Sequence, residues 1–336
     1  MSKDKDVNLK SSFLLFLTAA IWGFAFVAQR IGMNYIKPFT FNAIRFLLGS
    51  MALLPIIVIM LNKKNNVKEI KKHNGSSESS FRGNDLPLND TEDDSIYKNN
   101  KKIMLDKGFI KAILVCGSIL FIAANLQQIG VVYTTATNAG FITGLYVVIV
   151  PFLSLLIGQK VNFISVLAAL MAGTGLYFLS IQGRLRINIG DIYVFISSFF
   201  WAVHILLISK YSRKVHPLLL SIGQFFICGL LSLIFSFIFE LRDGIPFHAI
   251  TQAIYPLLYG GLLSIGVAYT LQAFAQQSAH PVLASIIMSL ESVFAFIGGV
   301  IIINEPVTKQ NIFGAIMMLL AMILAQLKNK DEKNAT

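Results

Sequence analysis

The chain has 336 residues, of which 55% are hydrophobic and only 13% charged. Soluble domains carry about 25% charged residues, so a mean hydropathy of +0.68 excludes an ordinary water-soluble fold. The net charge of +11 could suit nucleic acid, but the Lys and Arg residues cluster between apolar runs, as membrane topology requires; the expected surrounding is a lipid bilayer, with no nucleic-acid partner.

Runs long enough to cross a bilayer recur along the chain, at about 13–31, 40–61, 109–131, 134–157, 162–181, 190–210, 217–239, 252–275, 282–303 and 310–327. They predict an all-α membrane protein of ten transmembrane helices. Lys3, Lys5 and Lys10 before the first run imitate a signal peptide. Trp22 at the centre of that run has a later counterpart, however, so the run is kept as a span after a short N-terminus, 1–12. Pro38, Pro217 and Pro281 fall at helix starts, where a missing N–H is harmless. Pro151 lies inside the fourth run, which should kink there. Cys116 and Cys228 both sit in apolar runs and give neither a disulfide framework nor a metal spacing.

Residues 62–108 form the one long hydrophilic segment, rich in Lys, Asn, Ser and Asp and too poor in apolar residues to build a core. It reads as a disordered cytoplasmic tether, or as a segment whose basic ends rest on the anionic inner leaflet. With both termini inside, 21 Lys and Arg lie on the cytoplasmic side and 6 on the outer side, an asymmetry that sets orientation. The tail 328–336 is then cytoplasmic too.

Two halves, 13–181 and 190–327, share spacing. Trp22 precedes Pro38 by the same interval as Trp201 precedes Pro217, and at that offset Arg45 aligns with Gln224. Leu126-Gln127 matches Leu271-Gln272, and Gln159 matches Glu305, at an offset shortened by the length of the hydrophilic segment. An odd number of spans per half forces opposite orientations. Inverted repeats of this kind place a substrate site near the midplane.

Several residues could carry that site. Glu291 is the one carboxylate deep in an apolar run, a placement that costs roughly 2.5–3.5 kcal/mol on insertion scales. It shares a helical face with Ala284, Met288, Ala295 and Gly298, and the small residues among these either make room for a ligand or let another helix approach. Arg45 lies about five residues from the outer end of its span, roughly 8 Å along the helix. It can snorkel outward, bind a substrate carboxylate, or pair with Glu291. The third and fourth spans carry Asn125, Gln127, Gln128, Asn138, Thr143 and Tyr146, with Gly140 and Gly144 at a close-packing interval. Amides do not face lipid tails, so these residues look inward, as helix glue or cavity lining. Tyr269, Gln272 and Gln276 form a polar stripe in span eight, and Trp201 with His204 share a face in span six. His204 reads as a proton relay or as a bonded interior residue.

Catalytic signatures are missing: there is no HExxH, P-loop, GxGxxG or nucleophile elbow. An enzyme is not expected, and no cofactor or metal is expected.

Ala20-Ile21-Trp22-Gly23-Phe24, Arg45-Phe46-Leu47-Leu48-Gly49, Asn138–Pro151 and the spacing from Leu290-Glu291-Ser292-Val293 to Asn304-Glu305 together resemble the EamA family of the drug/metabolite transporter superfamily. Ser292 departs from the Pro that often follows the Glu, and Gln159 from the acid usual after span four. The resemblance implies a ten-helix carrier of two inverted five-helix repeats, a central cavity from spans one to four and six to nine, and spans five and ten at the periphery, where a homodimer could form. It also implies export or exchange of small metabolites, often amino acids. The expectation is an alternating-access permease of a bacterial-type plasma membrane for an amino-acid-like or amphipathic compound. Trp22, Tyr146, Trp201 and Tyr269 would be its walls, Asn125, Gln128, Asn138, Thr143, His204, Gln272 and Glu291 its polar contacts, and Arg45 would sit nearer the outer gate. The alternatives are a membrane sensor signalling through 62–108, or an intramembrane lipid-modifying enzyme.

Overall fold

The computed structural model describes residues 2–74, 107–180, 188–242, 244 and 247–328. Among them every regular element is helical: α1 (Ser2–Gly32), α2 (Pro38–Asn74), α3 (Lys107–Tyr133), α4 (Ala136–Leu156), α5 (Phe163–Ser180), α6 (Ile189–Tyr211), α7 (Pro217–Phe239), α8 (Ile254–Ala275), α9 (Pro281–Ile303) and α10 (Lys309–Lys328), with a short helix, Phe247–Gln252, before α8. Eight of these are long and apolar enough to cross a membrane, and the apolar parts of α5 and α10 are shorter. Their outer faces carry exposed Leu, Ile and Phe, the composition that lipid rather than water solvates. The chain is therefore an integral, multi-pass membrane protein.

Helix α2 runs on to Asn74, so the first part of the expected tether is helical. The Lys and Glu residues of that stretch are good helix formers and extend a helix already nucleated in the apolar run. The tether proper, 75–106, and the tail from 329 lie outside the described residues.

Contacts between helices follow a regular scheme. Helix α3 packs on α6 and α7, while α8 packs on α1 and α2; α4 packs on α6, while α9 packs on α1. The remaining strong pairs are α2 with α7, α4 with α9, and α5 with α10. In the last of these, Phe178 and Phe313 meet edge to face at 5.1 Å.

Two helices are interrupted at mid-depth. Helix α4 breaks at Leu145, between Ala136–Gly144 and Tyr146–Leu156. The expected kink at Pro151 is thus displaced upstream: Pro151 sits within the second segment, and the break falls at Leu145, after a glycine pressed against Ser292. Helix α9 breaks at Ser289–Leu290, between Pro281–Met288 and Glu291–Ile303. The Leu290 and Val293 N–H groups there donate to carbonyls three residues back, a tighter turn that often marks a hinge. Helix α8 deviates the other way, with π-helical backbone over Tyr259–Tyr269.

Both interrupted helices end in a left-handed residue. Gly158 (φ 74°) follows α4 and Asn304 (φ 54°) caps α9. Only Gly, and less readily Asn, adopts this backbone cheaply. The turns place Gln159 and Glu305, the repeat-matched pair, so that their N–H groups donate to Ser154 and Gly299 carbonyls.

Candidate functional site

The breaks in α4 and α9 put Tyr146 and Glu291 at the first residue of each second segment, facing one central cavity. Eight of the expected site residues line it: Trp22, Arg45, Thr143, Tyr146, Trp201, Tyr269, Gln272 and Glu291. They come from α1, α2, α4, α6, α8 and α9, so no single helix makes the site. Gln29, Gln127 and Ser264 complete its polar lining.

Aromatic rings form one wall. Tyr269 stands at their centre, 4.5 Å from Trp22 and 6.1 Å from Trp201 between ring centroids. Trp22 Nε1 donates to the Ser264 carbonyl at 3.2 Å, in the π-helical stretch. Such a stretch frees carbonyls from the usual helical ladder and is common at functional sites. Trp201 Nε1 donates to Gln127 Oε1 at 2.7 Å, and Gln127 Nε2 donates to Gln29 Oε1 at 3.2 Å. Each indole is thus fixed by one hydrogen bond, Trp22 to a backbone carbonyl and Trp201 to an ordered pair of amides.

The charged residues face this wall. Arg45 is 2% exposed and does not snorkel; its guanidinium lies over the Phe41 and Phe46 rings, 5.5 and 5.2 Å from their centroids. Its Nε has no hydrogen-bond partner. Glu291 is 3% exposed, and its Oε1 is likewise unpartnered. The Tyr146 hydroxyl is a near neighbour of Glu291, yet it makes no hydrogen bond of ordinary geometry. Arg45 and Glu291 form no ion pair with each other, so the expected pairing is not made. Gln272 Oε1 is also unpartnered. Buried polar atoms are seldom left so, and here four of them belong to residues lining one space.

That space is narrow. The cavity measures ≈ 30 Å³, against roughly 300–1,000 Å³ for ordinary ligand pockets.

Four expected residues lie elsewhere, for identifiable reasons. Asn125 accepts from Asn42 Nδ2 at 2.9 Å and donates to Ser232 Oγ at 2.9 Å, tying α3 to α2 and α7. His204 Nε2 bonds Gln224 Oε1 at 2.9 Å, and its ring meets Trp201 and Tyr269 edge to face, behind the lining. Gln128 is fully buried with neither amide atom bonded, and it is not part of the wall. Asn138 lies in the first turn of α4, where its N–H donates to Oγ1 of the N-cap Thr135 at 3.1 Å.

The small residues around Glu291 let helices approach. A Cβ on Gly140 would lie 2.8 Å from Ala295 Cβ, and one on Gly144 2.7 Å from Ser292 Oγ. Ser292 Oγ donates to the Gly140 carbonyl at 2.6 Å, which gives the departure from Pro at this position a structural role. Gln127, one of the inward-looking amides of span three, lines the cavity although it is not among the expected polar contacts. Its match to Gln272 across the repeat was the available signal, since both line the cavity.

Known proteins agree with this architecture. A family model described as the EamA-like transporter family matches residues 9–75 and 188–327. An uncharacterized transporter of Archaeoglobus fulgidus is 32% identical over 315 residues, covering 94% of this chain and 85% of its own. The uncharacterized transporter YoaV of Bacillus subtilis is 23% identical over 306 residues, with 89% and 90% covered. A solved crystal structure superposes with TM-score 0.68 over 95% of this chain and 97% of that one, at 14% identity, a likeness of fold alone. The family match spans more than half of the chain, and so the protein belongs to the EamA-like transporter family.

Proposed function

We propose that the protein is an alternating-access permease for a small, amino-acid-like zwitterion, bound between Arg45 and Glu291 against the Trp22–Tyr269–Trp201 wall. The observation that carries this reading is a buried guanidinium and a buried carboxyl group that line one cavity without pairing. An unpaired buried charge is expensive. A ligand with a carboxylate and an ammonium satisfies both groups, and the aromatic faces suit the ammonium and an apolar side chain.

The proposed architecture is ten spans in two inverted repeats, with both termini cytoplasmic in a bacterial-type plasma membrane. The contact scheme supports it. Advancing each helix by five exchanges α3–α6 with α8–α1, α3–α7 with α8–α2, and α4–α6 with α9–α1, while α2–α7 and α5–α10 map onto themselves. The matched breaks in α4 and α9 supply hinges next to the site, which the narrow cavity needs in order to admit a metabolite. The outward faces of α5 and α10 are where a second copy would sit.

The test is flux of a metabolite panel in proteoliposomes. Removing a charge-assisted contact costs about 1.5–3 kcal/mol, so Glu291→Gln and Arg45→Gln should each lower uptake of the transported zwitterion by about 10-fold or more. Analogues without the amino group should lose their dependence on Glu291, and those without the carboxylate their dependence on Arg45. Flux unchanged in both variants overturns the site.

A further inference from the structure

We propose that a second cleft, on the cytoplasmic side of the cavity, binds an anionic phospholipid of the inner leaflet. It lies between the C-terminal ends of α4 and α6 and the first residues of α9, encloses ≈ 790 Å³, and shares no lining residue with the central cavity. Its wall is apolar, from Leu153 and Ile157 of α4 and Val203, Leu206 and Leu207 of α6. Its rim is cationic, from Lys160, Lys210, Arg213 and Lys214, all exposed. No acidic residue lines it, and Asp191, Glu240, Glu291 and Glu305 all lie outside it.

That pairing of surfaces selects the occupant. A soluble anion would use the rim and leave the apolar wall wet, whereas a phospholipid covers the wall with an acyl chain and brings a phosphate to the rim. Ile157 is 60% exposed, so the wall opens sideways, where acyl chains arrive. Basic pockets between helices at the cytoplasmic surface are suited to anionic headgroups. Helix α6 joins the two sites, since Ile205 faces the cavity and its neighbour Leu206 faces the cleft. A seated lipid therefore fills space beside a helix of the substrate wall. The leaflet rests on the orientation proposed above; the lipid binding itself does not.

Native mass spectrometry of the full chain in detergent tests this without requiring transport, so failure of the permease reading leaves the result interpretable. Phosphatidylglycerol should be retained in preference to phosphatidylcholine of the same chains, and the preference should fall about fivefold for each basic residue removed in Lys210→Gln, Arg213→Gln and Lys214→Gln. Arg213→Lys, which keeps the charge, should retain it and remains informative if the triple variant fails to fold. Glycerol phosphate, a headgroup without chains, should not displace the lipid. Equal retention of the two lipids, a preference indifferent to the charge removals, or displacement by glycerol phosphate at equal concentration would each overturn the proposal.

Discussion

At the scale of single residues, the described carboxylates divide by what they bind. Asp191 closes a capping box with Asn188 and accepts from Thr134 at 2.6 Å. Glu305 accepts from Thr137. Glu240, at the end of α7, accepts the Phe39 and Thr40 N–H groups at 2.9 and 2.7 Å, so a neighbouring helix caps the first turn of α2. Glu291 alone combines deep burial with an oxygen that has no partner. Losing a cap costs about 0.5–2 kcal/mol, and here the acceptor fixes three donors, since the Thr40 hydroxyl also donates to Glu240 at 2.7 Å. Glu240→Ala should therefore lower the Tm in detergent while leaving flux per folded molecule intact. Glu291→Gln should do the reverse. A Tm unchanged in Glu240→Ala would show the cap to be energetically idle. The sequence displayed Glu291 plainly, because a carboxylate in an apolar run is conspicuous. It could not separate Gln127 from Asn125. The two are about 200° apart around α3, but α3 is buried on several sides, so polarity alone does not say which amide faces the cavity and which ties α3 to its neighbours.

At the scale of helices, periodicity located the apolar spans, since hydropathy reads length and composition. It missed the interruptions, because breaks in α4 and α9 arise from contacts between helices. Pro151 suggested a kink at its own position, whereas the backbone departs at Leu145, next to a glycine pressed against Ser292. The approach of α1 to α9 is closer still. A Cβ on Gly23 would meet Phe294 Cβ, lie 2.6 Å from the Glu291 carbonyl and 2.8 Å from the Ala295 nitrogen. Two of those are backbone atoms of the turn that presents Glu291, so they have no rotamer through which to give way. Overpacking costs typically 1–3 kcal/mol, and Gly23→Ala should lower both the Tm and the flux. Gly173→Ala is the comparison, since its Cβ would meet only the Val148 side chain, at 2.7 Å. That side chain can move, and the variant should retain most of its stability and flux. Equal tolerance of both substitutions would mean that α1 does not hold the Glu291 turn in place.

At the scale of the molecule, the proposed repeat has two halves that supply like residues to the cavity at some matched places and unlike residues at others. Trp22 and Trp201 both reach the cavity, as do Gln127 and Gln272, while Tyr146 stands where the second half has Glu291. An asymmetric charge within a symmetric frame gives a ligand one polar end to recognise at each side, which a strictly symmetric cavity could not do. The frame itself can be tested with repeat-equivalent positions. Tyr35 follows α1 as Lys214 follows α6, and both are exposed. Cys116 and Cys228 are free and fully buried, so replacing both with Ala leaves a background without thiols. Parallel repeats would put Tyr35→Cys and Lys214→Cys on the same side of the membrane. Inverted repeats with cytoplasmic termini put them on opposite sides. A membrane-impermeant maleimide should then label Tyr35→Cys in intact cells and Lys214→Cys only after permeabilisation. Labelling of both in intact cells, or of neither until the membrane is opened, would overturn the inverted arrangement. The reverse pattern would keep the inversion and turn the termini outward, which would move the basic cleft of α4 and α6 to the other leaflet.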